Sequence, residues 1–166
     1  VTLSELESGS IDIVQRPVDL DAVLGEVLGY AASRLPDLVV DYRVGGPLPA
    51  ILGDPSLLRQ AFAGLVMAVA DQPLQDLVEL RAHVERQSSE ALRVEIAGIG
   101  RSEPGDLELG ERQSVDDAGI GVALAREVIA LHRGKLDLEL HPTRGPCCRI
   151  TLPLSEIAVE TTQVGA

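Results

Sequence analysis

The stretch Gly53-Asp54-Pro55-Ser56-Leu57-Leu58-Arg59-Gln60-Ala61-Phe62-Ala63-Gly64-Leu65-Val66-Met67-Ala68 reads as one amphipathic helix running from about 55 to 70. Leu58, Ala61, Phe62, Leu65, Val66 and Val69 recur at the helical period and form its inner face. Gly64 and Ala68 are four residues apart, so they share one side of the helix. Neither carries a side-chain oxygen or nitrogen. A glycine inside a helix costs about 1 kcal/mol relative to alanine. Something local must tolerate Gly64, and close packing against a neighbour would do so.

Downstream, Val94-Glu95-Ile96-Ala97-Gly98-Ile99-Gly100 follows the pattern of a half-buried strand. Leu92, Val94 and Ile96 fall on one face and Arg93 and Glu95 on the other. A strand near 77–85 precedes it, and the polar turn Gln87-Ser88-Ser89-Glu90 makes the two a hairpin. A second hairpin joins 135–141 to 147–154 through Pro142-Thr143-Arg144-Gly145. Leu136, Leu138 and Leu140 alternate there with Asp137, Glu139 and His141.

The remaining segments arrange themselves around these. Residues 1–9 read as the last turns of a helix stopped by Gly9. Ile11, Ile13 and Val14 suggest a short strand before Pro17. Asp19 is a cap for a helix over 20–34, whose stripe is Val23, Leu24, Val27, Leu28, Ala31 and Leu35. Residues 38–44 read as a strand that ends at the breaker-rich Gly45-Gly46-Pro47-Leu48-Pro49. Residues 101–117 lack periodicity and read as a loop, 119–132 as a helix, and 157–166 as a loose tail. Helices between antiparallel hairpins imply an α+β fold. It is a two-layer sandwich, with about three helices on one face of a mixed, mostly antiparallel sheet.

The order of these elements resembles the Bergerat-type ATP-binding domain of sensor histidine kinases. Residues 53–68 are similar to that family's asparagine-bearing helix, with Gly64 and Ala68 where it places its two asparagines. The resemblance implies that side chains there would serve Mg²⁺ and the phosphates. Residues 94–100 are similar to the first glycine box, with Ile96 in place of the adenine-reading aspartate and Gly98 and Gly100 retained. Asp117-Ala118-Gly119-Ile120-Gly121 is similar to the second box, with Asp117 replacing its first glycine and Gly119 and Gly121 kept. Val128-Ile129-Ala130-Leu131-His132-Arg133-Gly134-Lys135-Leu136 and Leu152-Pro153 resemble the family's closing elements. The implied division is a junction with a dimerisation helix at 1–9, an ATPase-like domain at 10–156 and the tail.

Chemistry follows from the replacements. Mg²⁺ takes oxygen ligands in near-octahedral geometry, and positions 64 and 68 offer none. An isoleucine cannot accept the adenine amino proton, and an unpaired buried amino group costs about 1–3 kcal/mol. The four glycines 98, 100, 119 and 121 are therefore read as remnants of a cofactor site. Positive φ in a turn would explain them equally. No catalytic residue and no metal ligand is identified. His83, His132 and His141 lack ligand spacing, and no serine sits in a nucleophile elbow.

Composition narrows the partners. The 166 residues carry 26 acidic and 14 basic side chains, a net charge of −12, which argues against nucleic acid or an anionic membrane. Cys147 and Cys148 are neighbours, so in a strand they face opposite ways as one core and one exposed thiol of a reduced, cytoplasmic protein. No run of about 18 apolar residues is present to cross a membrane. The resemblance then implies a non-catalytic signalling domain of a two-component or phosphorelay protein. It would work through protein contacts, with dimerisation through an upstream helix and no cofactor. The alternative is a divergent active kinase that uses ATP and Mg²⁺ to phosphorylate an upstream histidine.

Overall fold

Two aspartates set the helices on their courses. The Asp19 carboxylate accepts from the Ala22 N–H at 3.4 Å and opens α1, Leu20–Arg34. Asp54 accepts from the Ser56 and Leu57 N–H groups at 3.0 and 3.2 Å, and Pro55 occupies the first position of α2, Pro55–Ala70. The third helix, α3, is Ile120–Leu131. The computed structural model describes residue 8 and residues 13–70, 77–100, 120–141 and 145–154.

Seven strands accompany the helices among the described residues. They are β1 (Arg16–Val18), β2 (Val39–Gly45), β3 (Ile51–Gly53), β4 (Leu77–Arg86), β5 (Ala91–Gly100), β6 (Lys135–His141) and β7 (Gly145–Pro153). Five form the main sheet in the order β2-β4-β5-β7-β6. Only β2 and β4 run parallel; β4–β5, β5–β7 and β6–β7 are antiparallel. β1 and β3 make a separate antiparallel pair, with Pro17 opposite Leu52.

The helices lie in one layer on one face. Alternation along the strands puts Leu80, Ala82 and Val84, then Leu92, Val94 and Ile96, then Cys148, Ile150 and Leu152 into the core beneath them. Phe62, the chain's one phenylalanine, is fully buried with Leu24, Leu58 and Leu65. This is the expected α+β sandwich with three helices on a mixed, mostly antiparallel sheet.

Two details differ from the sequence reading. The first strand is Arg16–Val18, not Ile11–Val14; Ile13 and Val14 are irregular, and Ile11 lies outside the described residues. Among the described residues this strand pairs on one side only, which leaves room for Pro17. Strand β3 was not anticipated, since three residues between a proline-rich turn and a helix show no alternation. The expected helix end at 1–9 (Ser8 apart), the loop at 101–117 and the tail fall outside the described residues.

Candidate functional site

Gly64 is where α2 and α3 meet. A Cβ built on it would stand 2.8 Å from the Gly121 carbonyl oxygen and 3.3 Å from the Gly121 Cα. In return, a Cβ on Gly121 would stand 3.5 Å from the Gly64 Cα. The helices therefore touch backbone to backbone, and the first turn of α3 fills the space into which a side chain at 64 would project. Ala68, one turn further along α2, is half-buried.

Ile96 lies in the core. It is fully buried, with Ala82 of β4 and Cys148 of β7 as its cross-strand partners. Gly98 is buried opposite Leu80 in the same strand, and Gly100 ends that strand opposite Leu77. Both belong to strand β5 rather than to a loop, with a shift of register in β4 between Leu77 and Glu79, beside Gly100. Of the second box, Gly121 sits in the first turn of α3, and Gly119 lies outside the described residues. The fold thus brings Gly64 and Gly121 together and gives Ile96 to the sheet.

Sequence reasoning missed His132. Its imidazole is buried, with Nδ1 2.7 Å from the Val128 carbonyl oxygen and Nε2 3.0 Å from the Asp54 backbone nitrogen. A carbonyl only accepts and an amide N–H only donates, so the ring carries its proton on Nδ1. His132 therefore ties the end of α3 to the start of α2. The ring lies directly over Gly53, where a Cβ would come within 2.6 Å of it. No sequence spacing announced this partnership, because its two ends are 78 residues apart.

Three side chains have pKa values shifted by their packing among the described residues. Tyr42 donates to Asp21 Oδ1 at 2.6 Å; burial, then the neighbouring carboxylate, raises its pKa. Burial pushes the Cys148 thiol up to about 12, while the half-buried Cys147 is raised by burial and then by Glu95. Both cysteines are free, one in the core and one on the outer face. Across that outer face, charges pair in rows: Arg81 with Glu79 at 3.0 Å, Arg43 with Asp41 at 3.2 Å, and Arg149 with Glu139 at 3.2 Å. A shallow hollow between Arg43, His83, Glu95 and Ala97 opens among them. Among the described residues no cluster of three or more His, Cys, Asp or Glu side chains suits a metal ion.

Comparison with known proteins places this architecture. Residues 53–156 match the model of the histidine kinase-, DNA gyrase B- and HSP90-like ATPases. The chain belongs to that family. It is an atypical Bergerat-fold member that resembles histidine kinase catalytic domains. The adaptive-response sensory kinase SasA of Synechocystis sp. is 24% identical across 84% of this chain and 39% of its own length. The circadian input-output histidine kinase CikA of the same genus is 27% identical across 92% of the chain and 22% of its length. The chain thus spans well under half of these relatives. Full-length ShkA, crystallised with AMPPNP, superposes with a TM-score of 0.74 at 20% identity, over 92% of this chain and 34% of that one. The ATP-binding domain of PrrB from Mycobacterium tuberculosis superposes at 0.67 with 27% identity, over 85% of this chain and 98% of that one. No helix among the described residues is long and apolar enough to cross a membrane.

Proposed function

We infer that this family member is a non-catalytic, histidine kinase-like signalling domain of a two-component or phosphorelay protein, with nucleotide binding weak or lost. The observation that carries this reading is the Gly64–Gly121 contact, which leaves no room for a side chain at position 64. Gly64 and Ala68 provide no oxygen for Mg²⁺. Ile96 gives adenine no acceptor and is committed to the core. These residues do not fit Mg–ATP. Gly98, Gly100, Gly119 and Gly121 are then remnants of a cofactor site.

With its chemistry lost, the domain acts through protein contacts. Its partners are proteins of the same pathway, and an upstream helix supplies dimerisation in the full-length protein, on the cytoplasmic side. The net charge of −12 leaves nucleic acid and anionic lipid outside that set. The named relatives are kinases, which keeps one competitor in view: a divergent active enzyme. Titration calorimetry with Mg–ATP and Mg–ADP separates the two. Binding no tighter than roughly millimolar is expected, from loss of the metal contact and an adenine hydrogen bond worth about 1–3 kcal/mol. Saturable heats with a micromolar dissociation constant would replace this reading with the active one.

A further inference from the structure

We propose that the β2 edge of the sheet is a homodimer interface, where β2 pairs antiparallel with β2 of a second copy about a two-fold axis through Tyr42. Among the described residues β2 ends the sheet, bonded to β4 on one side only. It is seven residues long and contains neither proline nor lysine, two common devices for protecting an edge. Val39 and Val44 are 61% and 39% exposed on it.

The sequence of this edge is self-complementary in one register. Pairing about Tyr42 sets Asp41 opposite Arg43 of the second copy, and Arg43 opposite its Asp41, both on the outer face. On the helix face it sets Val40 opposite Val44 twice, with the two Tyr42 rings adjacent at the axis. Opposite-charge and apolar pairs directly across strands are the favourable ones. Moving the axis to Asp41 stacks two aspartates, and moving it to Arg43 stacks two arginines. An odd register would place the helices of the two copies on opposite faces. The other edge lacks this property: antiparallel self-pairing of β6 about Leu138 sets Asp137 against Glu139, like against like.

Helix α1 stands over the same edge and is shaped for a close neighbour. Asp21 accepts from Tyr42 of β2, which fixes the side of α1 that faces this edge. The next residues of that row at four-residue spacing are Gly25 and Gly29. Both are exposed, and a Cβ on either would meet nothing within 4 Å. Two glycines mid-helix destabilise it by about 1 kcal/mol each relative to alanine. With strands about 4.8 Å apart across the axis, the two α1 helices would flank it and meet on these bare surfaces. The surface therefore fits a second copy of this chain, whether or not nucleotide binds.

The test is sedimentation equilibrium of the chain across a wide concentration range, with a charge-swap series. The unmodified chain should show a reversible monomer–dimer equilibrium that weakens as salt rises. Arg43→Asp, which places like charges at both cross-strand positions, should weaken dimerisation at least tenfold. The double variant Asp41→Arg/Arg43→Asp restores opposite charges across the axis and should recover dimerisation. Circular dichroism melts confirm that each variant folds. A chain that stays monomeric at every concentration overturns the proposal. So does a dimer that ignores Arg43→Asp, or one that the double variant fails to recover.

Discussion

The Gly64 Cα and the Gly121 backbone are packed so tightly that a Cβ on Gly64 would stand 2.8 Å from the Gly121 carbonyl oxygen. An asparagine therefore cannot simply be restored at this position. Gly64→Asn should destabilise the fold by about 1–3 kcal/mol through overpacking, because the obstacle is backbone rather than a flexible side chain. Urea denaturation measures this, and calorimetry on the folded fraction should show no gain in Mg–ATP binding. A variant as stable as the parent would mean that α3 moves aside readily, reopening the space for a ligand.

His132 ties the end of α3 to the start of α2. Replacing it with phenylalanine keeps the ring but leaves the Asp54 N–H and the Val128 carbonyl without this partner. The Val128 carbonyl still accepts from the residue-132 backbone N–H at 3.1 Å, so the Asp54 N–H is the group left unpaired, and the expected loss is about 1–3 kcal/mol. Gly53→Ala attacks the same joint from the other side, where the new Cβ would meet the imidazole at 2.6 Å. His132→Ala removes the ring and so should relieve that clash, making its loss and the Gly53→Ala loss less than additive in a double-mutant cycle. Full additivity would show that the imidazole and Gly53 are not one unit.

The end of α3 offers the opposite kind of test. Gly134 N–H reaches the Ile129 carbonyl at 2.8 Å and Arg133 N–H reaches Ala130 at 2.9 Å, a Schellman closure with Arg133 at φ 58°. An L-residue in that conformation carries about 1–2 kcal/mol of strain, so Arg133→Gly should raise the melting temperature. Gly134→Ala should lower it, since its Cβ would come within 2.6 Å of the Thr151 carbonyl oxygen. A reversed pair of shifts would refute the cap geometry.

Alkaline pH probes the buried acids. Tyr42 and Cys148 both have raised pKa values in the fold, Cys148 moving from 9.0 to about 12. The folded state then holds protons that the unfolded chain releases. Their contribution is complete below about pH 9, and stability falls as pH rises from there through about 12. Denaturation midpoints at several pH values from 8 upward measure the slope. Cys148→Ala should make it shallower, and an unchanged slope would remove Cys148 from the account.

Much of this architecture was legible because periodicity and breakers agree. The Val23–Ala31 and Leu58–Val69 stripes gave α1 and α2, and the alternation around Ile96 gave β5 and the burial of that residue. The parallel pairing of β2 with β4 was not legible, since partner choice depends on what the helices leave room for. The closeness expected of Gly64 could be read from its helix propensity alone, but its partner Gly121, on another helix, could not. His132 was invisible for the same reason. Its role exists only after α2 and α3 are packed, and a lone histidine at a helix end carries no signature of a bond to a distant backbone amide.

Ile96 gives the sharpest test of the proposed reading, which sets it where adenine would be recognised. It is fully buried between Ala82 and Cys148, where neither neighbour can hydrogen-bond a carboxylate well. Ile96→Asp removes about 1.5–3 kcal/mol of apolar burial. It also adds the cost of a buried acid, so at least about 4 kcal/mol should be lost at neutral pH. Burial raises the introduced carboxyl's folded pKa above its unfolded value of about 3.9. The charge penalty is then fully present at neutral pH and shrinks as pH falls toward that value. Ile96→Val, by comparison, should cost only about 0.5–1.5 kcal/mol with no such pH dependence. Denaturation of both variants at pH 7 and near pH 5, with and without Mg–ATP, completes the comparison. If Ile96→Asp is as stable as the parent, or is stabilised by nucleotide, the proposed loss of adenine recognition at this residue fails.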